Sequence, residues 1–315
     1  MPYLVLAFVS LLWGTSFLLI KIATQGFDWA SYSLGRCGLA AAALVLAVSA
    51  MRLKWPRSPR VWGLMAAMAI VGQAGPFLLL GVAARFTTSA DMALMMGGVP
   101  IFTFILARLF AGGEAWSARA ALGLAVGLAG VAISLGSPLS TAEVATAPHP
   151  ALGRALSLIA AVSYAFNAFA SGAATREVGA AMAAAGSMSI STALLVPLTL
   201  AVGAPPSLAA TGPAPLAAMV VLGLVNTALA YFVYFRLIAS AGATFATLNN
   251  YIVPCVGVIA GAWALGEPVG LSSWLGLGGV LVGVALTGSA TRPRRAVAVA
   301  ARSRAAAAAP SRAPR

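Results

Sequence analysis

The fold of this chain is decided by residues 244–267, which read TFATLNNYIVPCVGVIAGAWALGE. About 20 mostly apolar residues suffice for a helix to cross the hydrocarbon core of a bilayer, and this stretch is longer. It nevertheless carries the paired amides Asn249 and Asn250 and a mid-span proline, Pro254. Amides in hydrocarbon are costly unless they face other helices or a water-filled cavity. A kink made only for packing explains Pro254 equally well, but it does not explain the two asparagines. The stretch therefore predicts a kinked membrane helix that lines a cavity.

An earlier counterpart of this stretch occupies residues 90–114, which read ADMALMMGGVPIFTFILARLFAGGE. Its proline, Pro100, precedes Pro254 by 154 residues, and its Gly-Glu pair precedes the later Gly-Glu pair by 153. Farther along, Gly123 and Gly130 precede Gly276 and Gly283 by the same 153 residues, in similar apolar runs. The chain is therefore predicted to be a duplication, with a second helix kink at Pro100.

The composition defines the class of protein. Of 315 residues, 61% are hydrophobic and only 8% are charged, with a mean hydropathy of +0.97. Soluble domains contain about 25% charged residues, so this chain is predicted to be an all-α membrane protein. Residues 3–23 lack a basic start and a small-residue cleavage site, which predicts a retained first span. Cys37 and Cys255 lie within predicted spans and are expected to be small buried residues, not ligands of a metal.

Hydropathy predicts ten transmembrane helices in two halves. Residues 1–136 form the first five-helix repeat and residues 152–289 the second, joined by a polar, proline-rich linker at 137–151. Residues 290–315 are predicted to be a disordered basic tail. His149 in the linker is expected to be a solvated loop histidine. The predicted spans are 3–23, 30–51, 61–84, 89–111, 118–136, 152–173, 181–203, 214–238, 244–265 and 271–289.

The distribution of basic residues orients these spans, because cytoplasmic loops are enriched in Lys and Arg. With the N-terminus inside, both termini are cytoplasmic, and every basic residue except Lys21, Arg36, Arg85 and Arg154 belongs to an inner segment or to the tail. Five spans per half is an odd number, so the second half is expected to be inverted relative to the first. Inverted repeats are typical of secondary transporters. The basic tail also fits an arm for nucleic acid or anionic lipid, but positive-inside charge explains it, and no nucleic-acid partner is expected.

Several segments together resemble the EamA family of the drug/metabolite transporter superfamily. They are LLWGTSFLLIKIA (11–23), SLGRCGLAAAALVL (33–46), TSADMALMMGGVPIFTFILARLFAGGE (88–114) and NTALAYFVYFRLIASAGATFATLNNYIVP (226–254). The resemblance covers nearly all of residues 3–289, twice over. It implies a ten-helix, inverted-repeat transporter of the inner membrane with a central cavity. Members export amino acids or other small metabolites, and relatives carry sugars, nucleotide sugars or organic cations. The small multidrug branch uses a membrane-embedded glutamate in its first span, and this chain has none there.

The acidic residues all fall at predicted span ends or in loops. No carboxylate is therefore available at mid-membrane to exchange a proton for a cation, which disfavours export of quaternary ammonium compounds. Two of the acids follow a glycine where a helix stops, and these are expected to cap or turn the chain. The acidic residues are Asp28, Asp91, Glu114, Glu143, Glu177 and Glu267.

Polar and basic side chains within the spans are the candidates for a substrate site. Lys21, near a span end, is expected either to extend to the outer surface or to serve in energy coupling. Arg36 lies deeper and is the predicted charge of the cavity. Gln73 and Phe77 share a helix face, and Thr227 and Tyr231 stand at the matching positions of the second half. The predicted substrate-binding residues are Trp13, Ser16, Arg36, Gln73, Phe77, Tyr164, Asn167, Asn226, Tyr231, Asn249 and Asn250.

These features predict an exporter of small metabolites, most simply amino acids or their derivatives. Other solutes (sugar, nucleotide-like or drug-like) stay open, as does a membrane-embedded enzyme or an accessory subunit. No catalytic group, metal site or cofactor is expected, because no nucleophile with its base, ligand cluster or phosphate loop is present. Without a titratable mid-span acid, transport is expected to be gradient-driven, with proton coupling through Lys21 as the alternative. The glycines Gly123, Gly127, Gly279 and Gly283 predict close helix contacts within a monomer or a homodimer.

Overall fold

The computed structural model of this chain describes residues 2–110, 117–136, 149–202 and 211–290. Within these ranges the chain is helical and contains no strand, which agrees with the predicted all-α class. Most of the predicted linker at 137–151, the tail beyond residue 290, and the acids Glu114 and Glu143 lie outside the described residues.

Apolar helices of membrane-spanning length make up most of the structure. Eight segments are long and apolar enough to cross a membrane, and two shorter apolar helices, Asn249–Leu265 and Leu271–Thr287, follow them. The helices are α1 (Pro2–Ala23), α2 (Trp29–Ala50), α3 (Pro59–Met68), α4 (Gly75–Ala83), α5 (Ser89–Met96), α6 (Val99–Phe110), α7 (Ala118–Gly136), α8 (Pro150–Val178), α9 (Ala180–Val202), α10 (Pro213–Val220), α11 (Ala230–Ala241), α12 (Ala243–Ala246), α13 (Asn249–Leu265) and α14 (Leu271–Ala290). Two π-helical segments complete the set: π1 (Ala69–Ala74) joins α3 to α4, and π2 (Val221–Leu229) joins α10 to α11.

The two spans with predicted proline kinks are both interrupted, though at different places. α5 gives way to α6 at Gly97 and Gly98, and Pro100 is the second residue of α6. Proline fits there because the first turn of a helix has no use for its missing N–H group. In the later span the break between α12 and α13 precedes Asn249, and Pro254 lies inside α13. The interruption of the later span is therefore not located at its proline.

Asp28 marks the turn between the first two helices. Its carboxylate oxygen Oδ1 accepts hydrogen bonds from the backbone N–H groups of Ala30 (2.8 Å) and Ser31 (3.0 Å) and so caps α2. Burial raises the pKa of Asp28, but hydrogen bonds from Ser31 and Ala30 outweigh it and leave the pKa below its usual value. This helix end therefore stabilises the charged form of Asp28.

Helix packing surrounds one central apolar core, to which α1, α2, α4, α8 and α9 all contribute. α1 packs along α13, α2 along α9, and α4 along α8. α5 packs against α13 as well. These contacts bring π1, π2, α1 and α2 to the middle of the bundle, where the predicted site residues lie.

The close helix approach predicted from the glycine pattern is present between α7 and α14. A Cβ atom added at Gly130 would lie 2.7 Å from the carbonyl oxygen of Gly276 and 2.7 Å from the backbone nitrogen of Val280. Backbone atoms of a packed helix cannot move aside as a flexible side chain can. Small residues at such crossings let two helices make backbone-level contact in lipid.

We expect Gly130→Ala to destabilise the protein by about 1–3 kcal/mol, because the added methyl group overpacks this crossing. Thermal unfolding in detergent measures the loss. Gly278→Ala is the matched control, because a Cβ at Gly278 on α14 meets nothing within 4 Å. Alanine is also the better helix former there, so the control should melt at or above the wild-type temperature. Equal melting temperatures for the two variants would contradict the predicted role of Gly130.

Candidate functional site

The two π-helical segments supply side chains to the central site. A π turn takes carbonyl groups out of the regular i to i−4 pattern, and such turns are frequent at functional sites. In π1, Ser163 Oγ donates to the carbonyl oxygen of Val71 (2.8 Å) and Ser191 Oγ donates to that of Ala69 (3.2 Å). In π2, Thr227 Oγ1 donates to the carbonyl oxygen of Leu222 (2.7 Å). Neighbouring hydroxyl groups therefore stabilise both irregular segments.

Arg36 of α2 lies between these segments and is only 6% exposed. Its Nε donates to Thr227 Oγ1 (3.1 Å) and its Nη1 donates to the hydroxyl of Tyr32 (3.1 Å), one helical turn earlier. Its Cζ lies 3.9 Å from the centre of the Phe77 ring, and Tyr164 is close enough to interact with it electrostatically. A guanidinium is thus held in a fixed orientation by two hydroxyls and one aromatic face.

The guanidinium of Arg36 has no anionic partner among the described residues. Among the described residues, the ion pair joins Asp91 to Arg154 instead. A guanidinium has five N–H donors, and within the described chain Arg36 uses one at Nε and one at Nη1. The remaining donors are therefore available to an anionic group that enters the site.

Two buried amide oxygens near Arg36 also lack hydrogen-bond partners. They are Gln73 Oε1 and Asn167 Oδ1, and neither finds a donor in the part of the chain that the structure describes. Gln73 belongs to π1 and interacts with the side chain of Tyr231, while Asn167 of α8 packs directly against Gly72. An unpaired buried acceptor is costly, so each oxygen is available to a donor that enters the site.

Aromatic rings from α1 and α11 line the same region. The Trp13 ring centre lies 6.1 Å from that of Tyr231 and 4.9 Å from that of Tyr234. Tyr231 in turn stacks on Phe235 at 5.8 Å. These rings form an apolar wall beside the amide and guanidinium groups.

The structure brings Trp13, Arg36, Gln73, Phe77, Tyr164, Asn167 and Tyr231 of the predicted set into this region. Other predicted residues lie in contacts between helices. Asn226 Nδ2 donates to the carbonyl oxygen of Leu12 and lies within 3.1 Å of Ser16 Oγ, and Asn249 Oδ1 accepts from Ser10 Oγ (2.7 Å). Asn250 is half-buried at the start of α13. A role of Ser16, Asn226, Asn249 and Asn250 in substrate binding stays a prediction.

A second group of buried charges lies where α1 ends and α5 begins. We call Lys21, Asp91, Arg154 and Glu267 the charged cluster. Arg154 Nε donates to Asp91 Oδ2 (2.9 Å), which also accepts from Thr87 Oγ1 (2.7 Å). The side chains of Arg154 and Asp91 are 2% and 6% exposed. Two cations and two anions balance, so the cluster carries no net formal charge.

Lys21 belongs to this cluster and is partly buried. Its Nζ donates to the carbonyl oxygens of Ala84 (2.7 Å) and Thr87 (2.6 Å) at the turn between α4 and α5. Glu267 and Asp91 both interact with it electrostatically. Asp91 and Glu267 lie at span ends, as the sequence predicts, and a role of Lys21 in energy coupling stays a prediction.

Glu267 caps a helix that is remote in sequence. Its Oε1 accepts from the backbone N–H of Ser89 (2.8 Å), and its Oε2 accepts from Ser89 Oγ (2.8 Å) and the N–H of Ala90 (3.0 Å). A carboxylate at a helix N-terminus meets unpaired N–H groups and the positive end of the helix dipole. The expectation of a capping role agrees with these bonds, although the helix it caps is α5 and not its own.

The sequence did not identify Tyr32, Tyr234 or Phe235 as part of the site. Tyr32 precedes Arg36 by one helical turn, and Phe235 follows Tyr231 at the same spacing. The i, i+4 spacing to a predicted site residue was the signal available for both. Aromatic residues are also common in membrane helices, so this signal alone is not specific.

Comparison with known proteins identifies the class of protein. The EamA-like transporter family matches residues 1–136 and 151–289. These matches cover most of the chain, and the protein belongs to this family of membrane transporters.

The individual relatives have low sequence identity to this chain. The uncharacterized inner membrane transporter YedA of Escherichia coli K12 is 27% identical over 288 residues, covering 88% of this chain and 87% of YedA. A probable terminal-alkyne amino-acid exporter of Streptantibioticus cattleyicolor is 26% identical over 279 residues, covering 86% and 89% of the two chains. One solved crystal structure, 18% identical, covers 93% of this chain and 99% of its own with a TM-score of 0.64, which shows a shared fold.

Proposed function

We propose that this protein exports small zwitterionic metabolites, amino acids or their derivatives, across the inner membrane. Transport proceeds by alternating access between two inverted five-helix halves, with the substrate bound at the middle of the membrane where the halves meet. Both termini are cytoplasmic, so the charged cluster lies at the outer end of the bundle.

The observation that carries this proposal is a buried arginine without an acid, placed near two unpaired amide oxygens. The free N–H groups of Arg36 suit a carboxylate, which accepts two parallel hydrogen bonds from a guanidinium. Gln73 Oε1 and Asn167 Oδ1 are acceptors that suit an ammonium group. An α-amino acid has both groups, and it satisfies donors and acceptors that the protein leaves unpaired.

Charge balance favours this substrate class over others. A neutral sugar would leave the charge of Arg36 unpaired in a low-dielectric site, and an organic cation would add a second positive charge. The aromatic wall of Trp13, Tyr231 and Phe235 adds apolar contact for a side chain of the substrate. The name of the Streptantibioticus relative, an amino-acid exporter, is consistent with this choice. A membrane-embedded enzyme or accessory subunit has no comparable support.

The test is transport by the purified protein in liposomes. Counterflow of radiolabelled amino acids is expected to exceed that of protein-free liposomes, and sugars and quaternary ammonium compounds are expected to remain at the background rate. Because the central site contains no acid or histidine among the described residues, an imposed pH gradient is expected to change initial rates little. Absence of counterflow for amino acids, with flux of a sugar or a cation, would contradict the proposed substrate class. A steep dependence on the pH gradient that Lys21→Ala abolishes would establish coupling through Lys21.

A further inference from the structure

The charged cluster joins parts of the chain that the proposed mechanism requires to move apart. Lys21 and Asp91 belong to the first half, whereas Arg154 and Glu267 belong to the second. We propose that the charged cluster is the outer gate: it holds α5 against α13 and closes the path from the central site to the outside. This inference rests on the proposed transport function.

The outer parts of the two broken spans lie in direct contact in this structure. On α13, a Cβ at Gly257 would collide with the side chain of Ala93, and a Cβ at Gly261 would lie 3.2 Å from the N–H nitrogen of Ala90. Glu267 then covers the N-terminus of α5 with three hydrogen bonds. Close backbone packing and charge-assisted bonds therefore act together at this end.

The opposite parts of the same spans are not packed in this way. Within the described residues, no comparable packing joins α6 to α12 or to α13. α6 packs instead on α8, where the ring centre of Phe110 lies 6.4 Å from that of Phe166. In the proposed orientation the outer end is closed while the inner ends of these spans are separate, which is the arrangement of an inward-facing transporter.

Charged side chains suit a gate that opens toward water. When such a gate opens, water solvates each released carboxylate and ammonium, which offsets part of the lost ion-pair energy. An apolar contact gains no such solvation. The contact of α12 with α1 and α11 is of this apolar kind, with Leu6, Leu237 and Ala246 buried together. Water that enters from outside can therefore stabilise the open state of the charged cluster.

An introduced cysteine serves as the reporter for this gate. Cys37 is fully buried in the apolar core, so it and Cys255 are both replaced by serine. Trp13→Cys then places one thiol at a half-buried position in the aromatic wall of the central site. A membrane-impermeant maleimide is applied to the outer face of intact cells or to the cytoplasmic face of inverted membrane vesicles. The rate of thiol labelling from each face reports which end is open, and it requires no substrate.

Glu267→Gln removes the charge of the capping carboxylate and is expected to raise the rate of labelling from outside about tenfold, because hydrogen bonds to charged groups are stronger than neutral ones. The rate from the cytoplasmic face is expected to fall. Ser89→Ala, which removes only one donor, should show the same pattern with a smaller change. Glu177→Gln replaces an exposed glutamate on α8 and should leave both rates unchanged.

Three results would overturn the gate proposal. These are unchanged labelling in both Glu267→Gln and Ser89→Ala, a rise from both faces, which indicates general loosening, and a rise only in inverted vesicles, which places the cluster at the wrong end. The labelling experiment is independent of the transport assay. Failure of amino-acid counterflow with the expected labelling pattern would refute the proposed substrate and retain the gate.

Discussion

Arg36→Ala is expected to reduce transport of an amino acid by about 100-fold, because the substrate carboxylate loses a charge-assisted, two-bond partner. Arg36→Lys should lose nearly as much. A lysine cannot donate to Thr227 and Tyr32 and also present a planar pair of N–H groups to a carboxylate. Initial rates of counterflow in liposomes with equal amounts of protein measure both effects.

Stability measurements separate a role of Arg36 in binding from a role in folding. Arg36 is buried without an acid among the described residues, so its removal relieves a desolvation cost. We therefore expect Arg36→Ala to melt at or above the wild-type temperature while its transport is lost. Arg85→Ala, at an exposed arginine, is the control and should transport normally. Normal transport of an amino acid by Arg36→Ala would refute the role assigned to Arg36.

Asp91→Ala is expected to cost about 3–5 kcal/mol of stability, because it removes a carboxylate that is bonded to the buried Arg154. The double variant Asp91→Leu with Arg154→Met should recover most of this loss, since two apolar side chains need no charged partner. Unfolding by a graded increase of denaturing detergent compares the variants.

The loss of stability in Asp28→Ala provides a reference for the loss in Asp91→Ala. Asp28 lies at the same end of the bundle as Asp91. It caps α2 and forms no ion pair in the described chain. Loss of such a cap typically costs about 1 kcal/mol. If Asp91→Ala costs no more than Asp28→Ala, the buried ion pair does not have the energetic role assigned to it.

Much of the fold was available from local sequence. Hydropathy over windows of membrane length placed the spans within a few residues of the observed helices, because a helix that crosses lipid needs about 20 mostly apolar residues. The spacing of Gly127 and Gly283 likewise predicted close helix contacts, and the structure places these two glycines against each other where α7 crosses α14. The i, i+4 relation of Gln73 to Phe77 and of Thr227 to Tyr231 placed these pairs on common faces, and Arg36 contacts one member of each.

The exact pairing of polar groups was not available from local sequence. Asn249 is equally compatible with a cavity and with a neighbouring helix until the rotation of α13 is known, and the structure turns its amide oxygen toward Ser10 of α1. Asn226 is turned toward the same helix. The spacing of polar residues along a helix distinguishes its buried face from its lipid-facing one, but both alternatives for these asparagines are buried faces.

By itself the sequence determined the class of protein, the positions of its spans and the deep arginine, because these follow from the length, hydropathy and charge of single segments. Only the tertiary structure decided that Arg36 has no acid among the described residues, that Lys21 is bound by the carbonyls of Ala84 and Thr87, and that Glu267 caps α5. Such contacts join residues far apart in the chain, as Asp91 and Arg154 do. Their geometry depends on the tilt and rotation of whole helices, which the packing of the bundle sets and no single segment encodes.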